Sequence, residues 1–145
     1  MLELCQETQC YLNAQPFERS IMPFPYAFNL FPHNSALTQN GYVEEELKML
    51  HETRKILEDE TIQIHATCVR VPVLRAHSEA LNATFHRACP LEEAYDILNK
   101  APGIRILEDR VRNRFPMPID ATGQHDVFCG RIREDLSHPH TLYHF

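Results

Sequence analysis

The sequence predicts an α+β fold: a mixed, mostly antiparallel sheet with helices packed on one face. Two local patterns and one topological argument carry this. Val43, Leu47, Leu50 and Leu57 recur at the helical period. Ile62, Ile64, Ala66 and Cys68 alternate with Gln63, His65 and Thr67, the period of a half-buried strand. Strand-like runs then follow one another without room for a crossover helix, which argues against an all-parallel doubly wound sheet.

In order, Leu2 to Leu12 reads as a helix with Leu2, Cys5 and Leu12 among its apolar positions and little before it to act as a cap. Asn13 to Phe31 carries Pro16, Pro23 and Pro25 among aromatics, so it reads as irregular chain anchored by Phe24, Tyr26 and Phe28. Asn29 to Asn34 holds a short extended piece. Gly41 precedes a strong helix from about Tyr42 to Leu57, with Glu45, Lys48 and Glu52 opposite its apolar stripe. Ile62 to Val73 is predicted as a strand whose apolar parity switches to Val69, Val71 and Val73, which implies a bulge or bend near Pro72. Ala76 to His86 continues as a second strand. Pro90 opens a helix over Leu91–Leu98, with Glu92 and Glu93 at its positive end, and Ala101-Pro102-Gly103 ends it. Ile104–Leu107 and Val127–Ile132 are further strands, separated by irregular chain at Pro116-Met117-Pro118.

The chain of 145 residues fits one domain. No run is apolar enough to cross a membrane, and the first residues lack the pattern of a signal peptide. A formal net charge of −6 argues against general nucleic-acid binding. The five cysteines, Cys5, Cys10, Cys68, Cys89 and Cys129, include no CxxC pair, so reduced thiols in a cytoplasmic protein are expected. Cys5 reads as core-facing, Cys68 and Cys129 as structural thiols in strands. None looks like an activated nucleophile. No metal site is assigned: the histidines of the 138–145 tail lack the repeated ligand pairs of a closed centre, and that tail is expected to be irregular. The four glycines, Gly41, Gly103, Gly123 and Gly130, stand far apart, so there is no GxGxxG dinucleotide fingerprint.

The run Cys68 to Ser78 places Arg70, Arg75 and His77 among apolar, β-branched residues. Charges there need partners. A guanidinium reads a carboxylate or phosphate with two parallel hydrogen bonds, and an imidazole moves a proton near neutral pH. Arg70 and His77 are seven residues apart, so a straight strand would point them to opposite faces and a bend would let them converge. The plain structural alternative pairs Arg70 with a surface acid and leaves His77 capping a turn. Glu45 and Lys48 are neighbours on one helix face: either an exposed ion pair or a lining for the same site, with Glu45 meeting an ammonium and Lys48 a phosphate.

These segments, with Phe28-Asn29-Leu30-Phe31-Pro32-His33, Glu52–Leu57 and Val127–Arg133, resemble the substrate-binding and dimerisation domain of aspartate-semialdehyde dehydrogenase. The likeness covers residues 1 to about 137 and implies a fold like the C-terminal domain of glyceraldehyde-3-phosphate-dehydrogenase-like enzymes. It implies that Arg70 binds the substrate carboxylate, that His77 is the general acid/base, that Glu45 holds the substrate amino group and that Lys48 assists with phosphate. It also implies the family reaction: NADP-dependent interconversion of aspartate semialdehyde plus phosphate with aspartyl phosphate, in lysine, threonine and methionine synthesis, by a cytoplasmic homodimer. The nucleotide domain and the nucleophilic cysteine's Asn-Cys turn have no counterpart here, and residues 137–145 stand where the family has its closing helix. The expectation is a portion of that enzyme, inactive alone. A non-catalytic dimerisation module, and a related acyl-phosphate reductase of the N-acetyl-glutamyl-phosphate type, are the other readings.

Overall fold

The computed structural model describes all residues 1–145, in two units: Met1–Leu74 and Arg75–Phe145. No helix is long and apolar enough to cross a membrane.

The first unit holds α1 (Leu2–Leu12), β1 (Phe31–Pro32), α2 (Glu44–Leu57) and β2 (Val69–Arg70). Helix α1 starts without a side-chain cap, as its sequence implies. Its buried face differs from the expected one. Leu2 and Leu12 are exposed, as is Cys5, while Leu4 and Glu7 are buried. The reason lies in the loop that follows. Glu7 accepts the amide N–H groups of Tyr26 (2.8 Å) and Ala27 (3.0 Å) and pairs with Arg19 (3.1 Å). Glu3, one turn earlier, accepts from Ser20 and Ile21 at 3.0 Å each. A chain with three prolines cannot pair its amides in a ladder, so two helix carboxylates take them. Aromatic contacts complete the anchoring: Phe24 and Tyr26 meet Phe31 edge-on, and Phe28 meets Tyr11.

Strands β1 and β2 pair antiparallel, Phe31 opposite Arg70 and Pro32 opposite Val69. The rest of the long strand expected over Ile62–Val73 has no ladder partner. Its two-residue periodicity is nonetheless real, because Ile62, Ile64, Ala66, Cys68 and Arg70 are half-buried and the residues between them exposed. Extended backbone alone gives alternation; a strand also needs a neighbour. The predicted parity switch is absent, since Val69, Val71 and Val73 are all exposed and Arg70 keeps the half-buried face. The bend is present: the Val73 N–H reaches the Val71 carbonyl at 2.8 Å, a tight turn around Pro72. On α2, Leu47 and Leu50 are half-buried but Ile56 and Leu57 are exposed, so the expected stripe is covered only over its first turns.

The second unit holds β3 (Leu81–Thr84), α3 (Leu91–Lys100), β4 (Ile104–Ile106), the single-turn α4 (Pro118–Ala121), β5 (Val127–Cys129), β6 (Arg133–Glu134) and β7 (Thr141–His144). Its core joins Ala94, Cys129, Ile132 and Leu142, with Leu91, Tyr95, Leu98, Ile104 and Ile106 packed against them. Strands β4 and β5 are parallel, with α3 packed on β4. The tail expected to be irregular is instead β7, the middle strand of an antiparallel sheet in the order β3-β7-β6. Thr141 and Leu142 are buried there. Isolated histidines disguised a segment whose Leu142 and Tyr143 supply the packing. Gly130 and Phe145 exchange backbone hydrogen bonds of 2.8 and 2.9 Å, tying the end of β5 to that of β7. A side chain at Gly130 would stand 2.6 Å from the Leu107 carbonyl oxygen. The fold is therefore α+β with mixed, mainly antiparallel pairing, as expected, but its strands form three small sheets.

Candidate functional site

In the first unit, the turn after β1 does most of the assembly. The His33 N–H donates to the Cys68 carbonyl at 2.9 Å, extending the β1–β2 pairing by one bond. The Asn34 side-chain carbonyl accepts from Arg70 Nε at 3.2 Å. Ser35 Oγ accepts the Glu45 amide at 3.1 Å, and the Ala36 carbonyl accepts the Glu44 amide at 3.0 Å. Those two amides belong to the first turn of α2, which a Val43 cap cannot satisfy with its own side chain. Glu46 closes the arrangement, with its carboxylate taking the Val43 N–H (3.1 Å) and the Cys68 N–H (3.0 Å).

Three of the four residues singled out from the sequence are thereby gathered in one unit. Lys48 Nζ meets Glu45 at 3.1 Å, with both side chains partly exposed. That bond and the Lys48 charge lead the effects that hold the Glu45 carboxyl below its usual range, with His33 and Arg70 adding to them. Glu45 in turn raises Lys48. The His33 imidazole is pushed down by burial first and by the Arg70 charge second. Its Nδ1 accepts the Ser35 amide at 3.2 Å, which fits a neutral ring. Arg70 has no acid within ion-pair distance, so its pairing with a surface acid is not what the fold provides. Its two terminal amino groups have no hydrogen-bond partner. His77 belongs to the second unit, exposed on the irregular chain between Ala76, in the left-handed region at φ +68°, and β3.

Asn34, Ser35 and Glu46 escaped sequence reasoning. Ser35 reaches the first turn of α2 from ten residues before Glu45, across an intervening turn, and no local pattern encodes that.

Elsewhere, Cys129 is buried with its Sγ 3.5 Å from His144 Nδ1. Burial pushes the thiol up and the imidazole down, so both stay neutral, as suits a structural thiol. Glu108 is enclosed by Tyr95 (2.6 Å) and Arg110 (2.5 Å), a satisfied network that braces α3 against the chain after β4.

The chain is thus an α+β protein whose first unit presents a guanidinium, an ammonium and a carboxylate around one strand–turn–helix junction. The family model described as semialdehyde dehydrogenase, dimerisation domain, matches residues 1–145. The aspartate-semialdehyde dehydrogenase of Synechocystis sp. (strain ATCC 27184 / PCC 6803 / Kazusa) is 55% identical over 142 residues, covering 98% of this chain and 42% of the relative. That of Bacillus subtilis (strain 168) is 40% identical over 142 residues, covering 92% and 41%. The crystal structure of aspartate semialdehyde dehydrogenase II from Vibrio cholerae superposes with a TM-score of 0.92 at 36% identity, over 98% of this chain and 42% of that one. A second structure of it, complexed with ASA, gives 0.93. The chain belongs to the semialdehyde dehydrogenase dimerisation-domain family, and it spans about two fifths of the length of the curated relatives it matches.

Proposed function

We propose that this chain is the substrate-binding and dimerisation portion of an aspartate-semialdehyde dehydrogenase, a cytoplasmic homodimer that interconverts aspartate semialdehyde plus phosphate with aspartyl phosphate, for lysine, threonine and methionine synthesis. The observation that carries the reading is the junction of Arg70, Glu45 and Lys48. Aspartate semialdehyde has one carboxylate and one ammonium. Arg70 has two unengaged amino groups to clamp the carboxylate. Glu45 stays ionised to hold the ammonium. Lys48, kept protonated by Glu45, offers a point charge to phosphate. Taking up both ligands divides the Glu45–Lys48 pair between them, and a solvent-exposed pair is cheap to divide. By the same family resemblance His77 is the general acid/base, and it lies on an exposed stretch of the second unit. The Vibrio cholerae relative crystallised with ASA supports the same substrate.

NADP is the redox partner that the family implies. The residues present do not form its cradle: the turns leading into α2, α3 and α4 hold Gly41 and no other glycine.

The chain assayed alone with aspartate semialdehyde, phosphate and NADP is expected to form no NADPH; steady turnover would refute the reading of it as a portion. In the complete enzyme, Arg70→Ala is expected to raise KM for aspartate semialdehyde at least about tenfold. His77→Asn should lower kcat about 10²–10⁴-fold with KM little changed. Wild-type kcat in the His77 variant would remove it from the chemistry.

A further inference from the structure

Arginine can take a carboxylate in two ways: end-on, through its two terminal amino groups, or side-on, through Nε and one of them. In this chain Nε is already engaged by Asn34 Oδ1 at 3.2 Å. The side-on mode is thereby closed and the end-on pair left open. We propose that Asn34 is a positioning residue for Arg70, fixing the plane of the guanidinium so that it receives a carboxylate end-on. The inference rests on the reading of Arg70 as the carboxylate clamp.

Two features make the acceptor rigid enough for this. Asn34 stands between two tethers: the His33 amide on the Cys68 carbonyl, and Ser35 Oγ on the first turn of α2. The backbone register that sets Phe31 opposite Arg70 fixes the distance between the turn and the arginine's own strand. The acceptor is thus placed by a main-chain bond on one side and by the Ser35 hydroxyl on the other. His33 contributes by staying uncharged: its Nδ1 is filled by Ser35, so it adds no second cation beside Arg70. Lys48 is occupied by Glu45 and does not compete for Asn34.

The effect of a single neutral-acceptor bond to a charged donor is modest, and about three- to tenfold in affinity is expected. The test uses the ¹⁵N-labelled chain and L-2-aminobutyrate, which keeps the carboxylate and ammonium of the substrate without its aldehyde. The Arg70 Nε–H resonance reads the bond directly. Wild type should show slowed solvent exchange there and, at the backbone amides of residues 33–35 and 69–71, a saturable shift with the probe that gives Kd and is lost in Arg70→Ala. Asn34→Ala should speed the exchange and raise Kd three- to tenfold. Asn34→Asp keeps an acceptor oxygen and should restore slow exchange. In an Arg70→Lys background, which has no Nε–H, Asn34→Ala should change Kd no further. An unchanged Kd in Asn34→Ala, an undiminished penalty in the lysine background, or unprotected Nε–H in Asn34→Asp would each overturn the assignment. If wild type and Arg70→Ala respond alike to the probe, the clamp reading itself falls, before any Asn34 variant is considered, and this inference falls with it.

Discussion

Residues 1–74 hold irregular chain in place with carboxylates, whereas residues 75–145 close over an apolar cluster. In the first unit Glu3, Glu7 and Glu46 accept seven backbone amides among them, those of Ser20, Ile21, Met22, Tyr26, Ala27, Val43 and Cys68. In the second, Ile132 is 1% exposed and sits with Ala94, Cys129 and Leu142. The contrast teaches where binding chemistry can be built. Charged residues kept at the rim by polar bonds remain available to a ligand; residues sealed in a core do not. Arg70, Glu45 and Lys48 all lie in the polar unit.

The largest expected effect tests the apolar side. Ile132→Ala removes the most enclosed side chain and should cost about 2–5 kcal/mol, read from chemical denaturation. A loss below about 1 kcal/mol would mean the cluster does not carry the second unit. Next comes Glu7→Ala, which strands the Tyr26 and Ala27 amides and should cost about 1–3 kcal/mol. It has a pH counterpart. Burial pushes the Glu7 carboxyl up, but the Tyr26 and Ala27 amides and Arg19 outweigh it and hold it below 4.5. A depressed carboxyl contributes fully above its unfolded value and loses that contribution as pH falls through the folded one. Hydrogen exchange at Tyr26 and Ala27 should therefore accelerate relative to β4 and β5 as pH drops below about 4.5, and Glu7→Gln should flatten that pH dependence. The smallest effect is Ser35→Ala, which uncaps the Glu45 amide and should cost about 0.5–2 kcal/mol by thermal melting. No change in melting would show that water replaces Ser35 there.

Helices were legible in the sequence and strand partners were not. The α1 range of Leu2–Leu12 and the start of α3 at Leu91 follow from local spacing and Pro90. Which face of α1 would be buried was not local, because Glu7 is buried by amides 19 and 20 residues away. The Ile62–Cys68 alternation predicts a strand, but the segment is unpaired and only Val69–Arg70 enters a ladder, because the alternation does not specify a neighbour. The same holds for β7, whose partners make a strand of a segment that composition alone marks as a frayed end. At the site, the residue types that carry charge were recognisable; the Asn34–Ser35 turn that gathers three of them was not, since its partners lie on two other elements.

Strand β7 has a consequence for how the chain acquires its shape. Thr84 in β3 meets Thr141 in β7, 57 residues later, and β6 pairs with the same strand. Neither flanking strand has its hydrogen-bond neighbour until β7 has been synthesised and cleared the ribosome. At a translation rate of about 5–20 residues per second, the exposed edges of Leu81–Thr84 wait several seconds for it. During that interval a chaperone, rather than the fold, is what can shield them.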